Sequence, residues 1–200
     1  MPNKVEDQAL WGRLVRPFIV ALGLGACVTC GLAAWQRSAP LSAPSLFPFS
    51  ETWYAKAVAA ASPTDGIAAA QKAIKLAPAR PENWMLLAYQ YSRADHGISP
   101  RVAAAVRQSY VASPLDVDVS AYRLDFIFHV WPGLPDDVRD LAKNEAQQFG
   151  TTGDGQVFLS KAVPTIGDDR ARLQFAIITM IARHQYELAS QKLQKKNQGV

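Results

Sequence analysis

Asp125 and His129 stand four residues apart, a spacing that puts both side chains on one face of a helix. There a carboxylate can orient an imidazole as a general base, or the two can share a metal ion. No HExxH pattern and no nucleophile accompanies them, and His129 sits among Phe126, Ile127, Phe128 and Trp131. The pair reads as a buried, hydrogen-bonded histidine or as a local ion pair. Asp95-His96-Gly97 reads as a loop without a partner in sequence. Gly150-Thr151-Thr152-Gly153-Asp154-Gly155 lacks the Gly-Lys-Ser/Thr ending and the preceding strand of a phosphate loop, and reads as a flexible linker between helices. Cys27 and Cys30 form C-x-x-C, but inside an apolar run where a thiolate is costly, and Gly31 stands where haem attachment needs histidine. They read as two small apolar residues. With the third histidine, His184, equally isolated, no metal site, cofactor or catalytic residue is expected, and the chain reads as a non-enzyme.

Arginine is the other chemical resource. Arg80, Arg93, Arg101, Arg107 and Arg123 fall in or near successive helical hairpins. Lining a groove, they would hold a peptide carboxylate or an acidic glycan; otherwise they are ordinary solvated side chains. Lys192, Lys195 and Lys196 form a basic end that reads as a solvated terminus, with an acidic partner or lipid headgroups as the alternative.

These residues belong to a chain of 200, about one domain, with 49% hydrophobic and 19% charged residues, which excludes a disordered polymer. Two cysteines exclude a disulfide-stapled mini-protein. A net charge of +4 from 21 basic and 17 acidic residues is too mild to imply nucleic acid.

The strongest local signal is PFIVALGLGACVTCGLAAW, residues 17–35, which carries no charge. As a helix it spans roughly 28 Å, close to the thickness of a bilayer's hydrocarbon. Trp11 and Trp35 flank it, and Lys4, Arg13 and Arg16 precede it against Arg37 alone after it. The expectation is a bacterial inner-membrane anchor: residues 1–16 cytoplasmic, 17–35 spanning, the bulk in the periplasm. Two other readings stay open. Leu24-Gly25-Ala26-Cys27 resembles a lipobox, which would make Cys27 a lipidation site, and the run is also compatible with a cleaved signal. Gly23, Cys27 and Gly31, four apart, offer a small-residue face on which another membrane helix could pack.

Residues 36–50, with Pro40, Pro44 and Pro48, read as an extended tether. Beyond it, the pattern predicts an all-α domain over 51–196 and a frayed end at 197–200. No alternation long enough for a sheet occurs. Ser62-Pro63 and Ser99-Pro100 each pair an N-cap serine with a first-turn proline; Pro81 and Pro135 read as first-turn prolines too. Gly150 reads as a helix stop. Helices are expected at about 51–61, 64–77, 81–95, 100–112, 116–130, 135–149, 155–163 and 168–195, antiparallel to their neighbours across short loops. On the last, Leu173, Ile177, Met180, Ile181, His184 and Leu188 form the apolar stripe expected to pack.

One junction carries a repeat. Ala73-Ile74-Lys75-Leu76-Ala77-Pro78 precedes a helix with Trp84, Leu87, Ala88 and Tyr91, and resembles the boundary between tetratricopeptide units. Ser109 to Pro114 echoes it thirty-six residues on, against a family period of thirty-four, and Tyr122 and Phe126 continue an aromatic-rich helix. The resemblance covers about residues 51–130 and implies a degenerate solenoid of stacked hairpins, with Ala69, Ala70, Ala73, Ala88 and Ala103 to Ala105 allowing close helix approach. Trp131 to Ala142, WPGLPDDVRDLA, resembles an element of small accessory proteins of proteobacterial surface-polysaccharide gene clusters. Together the resemblances imply a membrane-anchored scaffold that binds a partner protein of an envelope complex, with Trp84, Tyr91, Tyr122 and the five arginines as candidate contacts. An envelope enzyme with an all-α site, or a direct binder of acidic polysaccharide, is the alternative.

Overall fold

The computed structural model describes residues 26–39 and 49–197. All regular structure among them is helical. Residues 26–38 form α1; then follow α2 (Ser50–Val58), α3 (Pro63–Leu76), α4 (Pro81–Asp95), α5 (Pro100–Ala112), α6 (Val117–Val130), α7 (Asp136–Phe149), α8 (Gly153–Ala162) and α9 (Asp169–Asn197). Short 3-10 turns, Trp131–Gly133 and Val163–Thr165, close α6 and α8. Among the described residues no helix is long and apolar enough to cross a membrane. Residues 17–25 of the expected anchor, Gly23 included, and 40–48 of the expected tether lie outside the described residues.

Local chemistry sets the helix starts. Ser62 Oγ accepts from the Asp65 amide at 3.1 Å, Ser99 Oγ from Val102 at 3.4 Å and Asp168 Oδ1 from Ala171 at 2.7 Å, each satisfying an amide that the helix leaves unpaired. Pro63, Pro81 and Pro100 are first-turn residues as expected. Pro135 is not: it is the N-cap, and Asp136 and Asp137 fill the first turn, where the helix dipole favours negative charge. The Gly150–Gly155 segment is shorter as a linker than expected. Thr152 Oγ1 accepts from the Gly155 amide at 3.0 Å, and Gly153 to Gly155 become the first turn of α8. Asp95-His96-Gly97 terminates α4: His96 takes the left-handed conformation (φ 54°), and the Gly97 amide donates to Ser92 O at 3.0 Å.

Helices adjacent in sequence pack on one another from α2 to α5 and again from α6 to α9. The even-numbered helices also touch in succession, α2 on α4, α4 on α6 and α6 on α8, as do α5, α7 and α9. Hairpins therefore stack side by side, and one apolar core runs from Ala57 to Phe175. Ala69, Ala70, Ala73, Ala88, Ala103 and Ala105 are buried where helices cross; Ala104, expected among them, faces solvent. Two helices approach closely at Gly66, where an added Cβ would overlap the Gln90 amide, itself buried and donating to Ala57 O at 2.8 Å.

The last helix corrects the sequence reading. Its docked face is Ala171, Phe175, Ile178 and Ala182. Phe175 meets Phe128 and Trp131 edge-on, with centroids 4.6 and 5.1 Å away. Leu173, Ile177, Met180, Ile181, His184 and Leu188, the stripe expected to pack, are exposed. At about 100° per residue they lie on the opposite side of α9. Both sides are apolar, so periodicity alone could not choose between them. The body selects the side whose small residues let the helix close on Gly150, whose Cα would place a Cβ 2.8 Å from that of Ala182.

Candidate functional site

Arg123, read from the sequence as a groove-lining or an ordinary solvated side chain, is the largest fully buried side chain among the described residues. Its Nη2 lies 2.8 Å from Glu145 Oε1, and both side chains are sealed from water. Glu145 also accepts from Tyr110 Oη at 2.7 Å and Ser120 Oγ at 2.8 Å. Arg123 donates onward to Ser109 Oγ and to Ser113 O, each at 3.2 Å, and its guanidinium stacks 4.1 Å from the Tyr110 ring. The network joins α5, α6 and α7. Burial pushes the Glu145 carboxyl above its ordinary range against the opposing pull of Arg123, and burial likewise pushes the Tyr110 phenol up. A charge can be buried here because every strong hydrogen-bonding site on it has a partner.

Above this network, α5 and α7 leave an open trough of about 450 Å³. Its lining is mostly apolar, with Val111 and Pro114 from the α5 side and Leu141 from α7; Asn144 and Gln148 add side-chain amides beside Leu141 on α7. Tyr110 and Glu145 form part of its floor, so the charged network rigidifies the base beneath it. Asn144 and Gln148 are shared with a second hollow of about 470 Å³, lined further on by Gln147, Thr151, Thr152 and Gln185. Arg107 is shared with a third, smaller hollow at Ile98 and Pro135. The first two share the Asn144–Gln148 face of α7, and the third adjoins the first only at Arg107. Side-chain amides offer a donor and an acceptor each, the pattern that an extended polypeptide backbone presents in return.

The other sequence candidates do not gather here. Arg80 pairs with Glu51 at 3.0 Å, and Arg93 donates to Ala60 O and Ala61 O where the chain leaves α2. Arg101 pairs with Asp95 and lies 4.5 Å from the Tyr91 ring; Arg107, at the edge of the trough, pairs with Asp137. Each arginine thus joins one helix or loop to another, which leaves no assembled cationic groove. Trp84 is half-buried against the core, its indole donating to Pro78 O at 2.8 Å. Tyr91 accepts from Gln71 Nε2 at 3.4 Å. Tyr122 is partly exposed on α6; burial, then Tyr54, Tyr89 and Asp125 nearby, pushes its phenol up to about 12. Asp125 and His129 are both exposed, with His129 Nδ1 3.8 Å from Asp125 Oδ1 and 2.7 Å from the Asp125 backbone O: a local surface contact and not the buried histidine also expected. Cys27 is exposed, and a Cβ on Gly31 would meet open space, so no described helix packs on that face. Among the described residues no three His, Cys, Asp or Glu side chains converge on a metal-sized site.

Sequence reasoning missed Glu145, Tyr110 and the trough walls. Two signals pointed there. Arg123 interrupts the apolar run of α6, and Glu145 falls on the α7 face that carries Ala142, Ala146 and Phe149. A lone acid and a lone base on two inward faces can be buried only together.

The described residues form an all-α domain with an open trough between α5 and α7. Comparison with family models, with curated proteins and with solved structures finds no match.

Proposed function

We propose that this protein is a single-pass, membrane-anchored helical scaffold whose tetratricopeptide-like domain lies in the bacterial periplasm and holds an extended segment of a partner protein in an envelope complex. The observation that carries this is the α5–α7 trough, with its mostly apolar lining, the Asn144 and Gln148 amides on its α7 side and a floor that includes a member of a buried ion pair. The succession of contacts α2–α4–α6–α8 supports a repeat-like stack. The uncharged run 17–35 and the basic residues before it support the anchor and its orientation. Surface-polysaccharide polymerisation or export is the context proposed, from the likeness of Trp131 to Ala142. The scaffold needs no chemistry of its own: its work is to keep a segment of the partner straight and close to the membrane.

The test is site-specific crosslinking in the native membrane. A photo-reactive residue replacing Val111, which is 75% exposed beside the trough, should capture one discrete partner; the same residue replacing Val157 on α8, away from it, should not. Recovery of a polymerase, chain-length regulator or exporter would supply the pathway. An equal, diffuse pattern from both positions would overturn the reading.

A further inference from the structure

The outer side of α9 is apolar and uncovered. Leu173, Ile177, Met180, Ile181 and Leu188 are all exposed, Met180 to 66%, in a line about 22 Å long on the side opposite the docked Phe175. Arg170 and Lys195 fall on the same line at its two ends. From Arg183 to Lys196 no side chain of α9 is buried; Arg183, Gln185, Tyr186 and Glu187 still border α7 and α8, and the end of the helix beyond them runs on past the body.

Charge identifies what covers it. α9 carries six basic and two acidic side chains, an excess of four that equals the excess of the entire chain. Arg172 is paired with Asp169, while Lys192, Lys195 and Lys196 project beyond the body. A second copy meeting this face would set cationic helix against cationic helix in either orientation, because both halves of α9 are net positive. An anionic surface meets no such opposition. Apolar side chains in a line, with basic groups at both ends and along the flanks, is the pattern of a helix lying in the headgroup region of a bilayer. The long stems of lysine and arginine let the charge stay at headgroup level while the apolar atoms go deeper.

We infer that the outer face of α9 lies on an anionic lipid surface, by Leu173, Ile177, Met180, Ile181 and Leu188, and so gives the domain a second membrane contact. This builds on the anchored reading above but rests on different residues. The membrane holds the domain at residues 17–35 and again at α9, and the α5–α7 trough then takes a fixed orientation to the bilayer.

The experiment uses the full-length chain with Cys27 and Cys30 replaced by serine and a nitroxide on Met180→Cys. The protein is reconstituted into phosphatidylcholine vesicles with and without a minority of phosphatidylglycerol. Collision with a water-soluble nickel chelate should fall about threefold or more when the anionic lipid is present, as expected for added electrostatic attraction of several basic residues. Collision with oxygen, which partitions into lipid, should rise. Lys192→Glu, Lys195→Glu and Lys196→Glu together, all in the projecting part of α9, should cancel the change without touching the core. An aqueous label in both vesicles overturns the inference. So does a label protected in both with spin–spin broadening that grows with protein density, which identifies a second copy. Flotation with vesicles after alkaline carbonate reports the 17–35 anchor separately: flotation with an aqueous label removes the α9 contact alone. Protection without flotation removes the anchor alone.

Discussion

Arg123 Nη2 and Glu145 Oε1 meet 2.8 Å apart at the junction of three helices, with neither side chain in reach of water. The pair draws Tyr110, Ser120, Ser109 and Ser113 O into one network. Removing one member leaves the other buried without its counter-ion. Arg123→Met or Glu145→Leu should each cost about 3–5 kcal/mol, as for broken buried pairs. The double substitution should cost less than either single one, since it removes both charges together. Urea unfolding of the four proteins in one detergent measures this. A double variant as unstable as the sum of the two singles would show that the residues act independently.

This pair also marks the limit of what was legible in the sequence. Helix starts were legible, because Ser62, Ser99 and the prolines after them act within one turn of chain. Pro135 moved by one position: it stands at the N-cap of α7 without a side-chain capping bond, and its backbone O accepts from the Val138 and Arg139 amides. Burial of Arg123 was not legible, because its partner lies twenty-two residues away on another helix. The docked face of α9 was illegible in a different way. Phe175 and Ile177 are both apolar, and only the shape of the α6–α8 surface decides that the phenylalanine goes inward. The trough arises between α5 and α7, and no single stretch of residues encodes it.

Gly150 tests the closeness of α9 to the body. A Cβ at this position would stand 2.8 Å from both Ala146 O and the Ala182 Cβ, neither of which is the movable end of a side chain. Gly150→Ala should destabilise the protein by about 1–3 kcal/mol, in the range for overpacking. Ala182→Gly in the same chain should restore part of the loss by vacating one of the two contacts. Thermal melts followed by circular dichroism compare the two. A Gly150→Ala protein as stable as the parent would mean that α9 sits farther from α7 than the structure has it.

Asp95 gives a pH prediction. Hydrogen bonds from Arg101 and Ser99 hold its carboxyl at about 2, below its ordinary 3.8. A depressed value in the folded state means that the ionised form stabilises the fold above the ordinary value. That contribution is lost as pH falls toward and through about 2. Carbon-detected NMR of the side-chain carboxyl should show the low midpoint in the folded protein, and Arg101→Gln should raise it toward the ordinary value. An Asp95 midpoint unmoved by that substitution would place the main cause elsewhere. Stability near neutral pH should change little, because the pair is at the surface and screened by solvent.

The projecting half of α9 should exchange its amides fast. A helix gains little from its own hydrogen bonds at this length: fifteen residues alone in water are marginal. Residues 171–182 are held by Phe175 and Ala182 in the core, whereas residues 183–196 bury no side chain and border the body only as far as Glu187. Hydrogen exchange on the full chain in neutral detergent should therefore show amides after Tyr186 exchanging about a hundredfold faster than those near Phe175. The boundary should fall close to Ala182, the last buried side chain. Phe175→Ala should raise exchange along the docked half as well, because it removes about 3–5 kcal/mol of packing from the only buried aromatic side chain on α9. Equal protection along all of α9 would mean that the body does not end where its buried residues end, and that the tail is held by contacts on its outer face even without a bilayer.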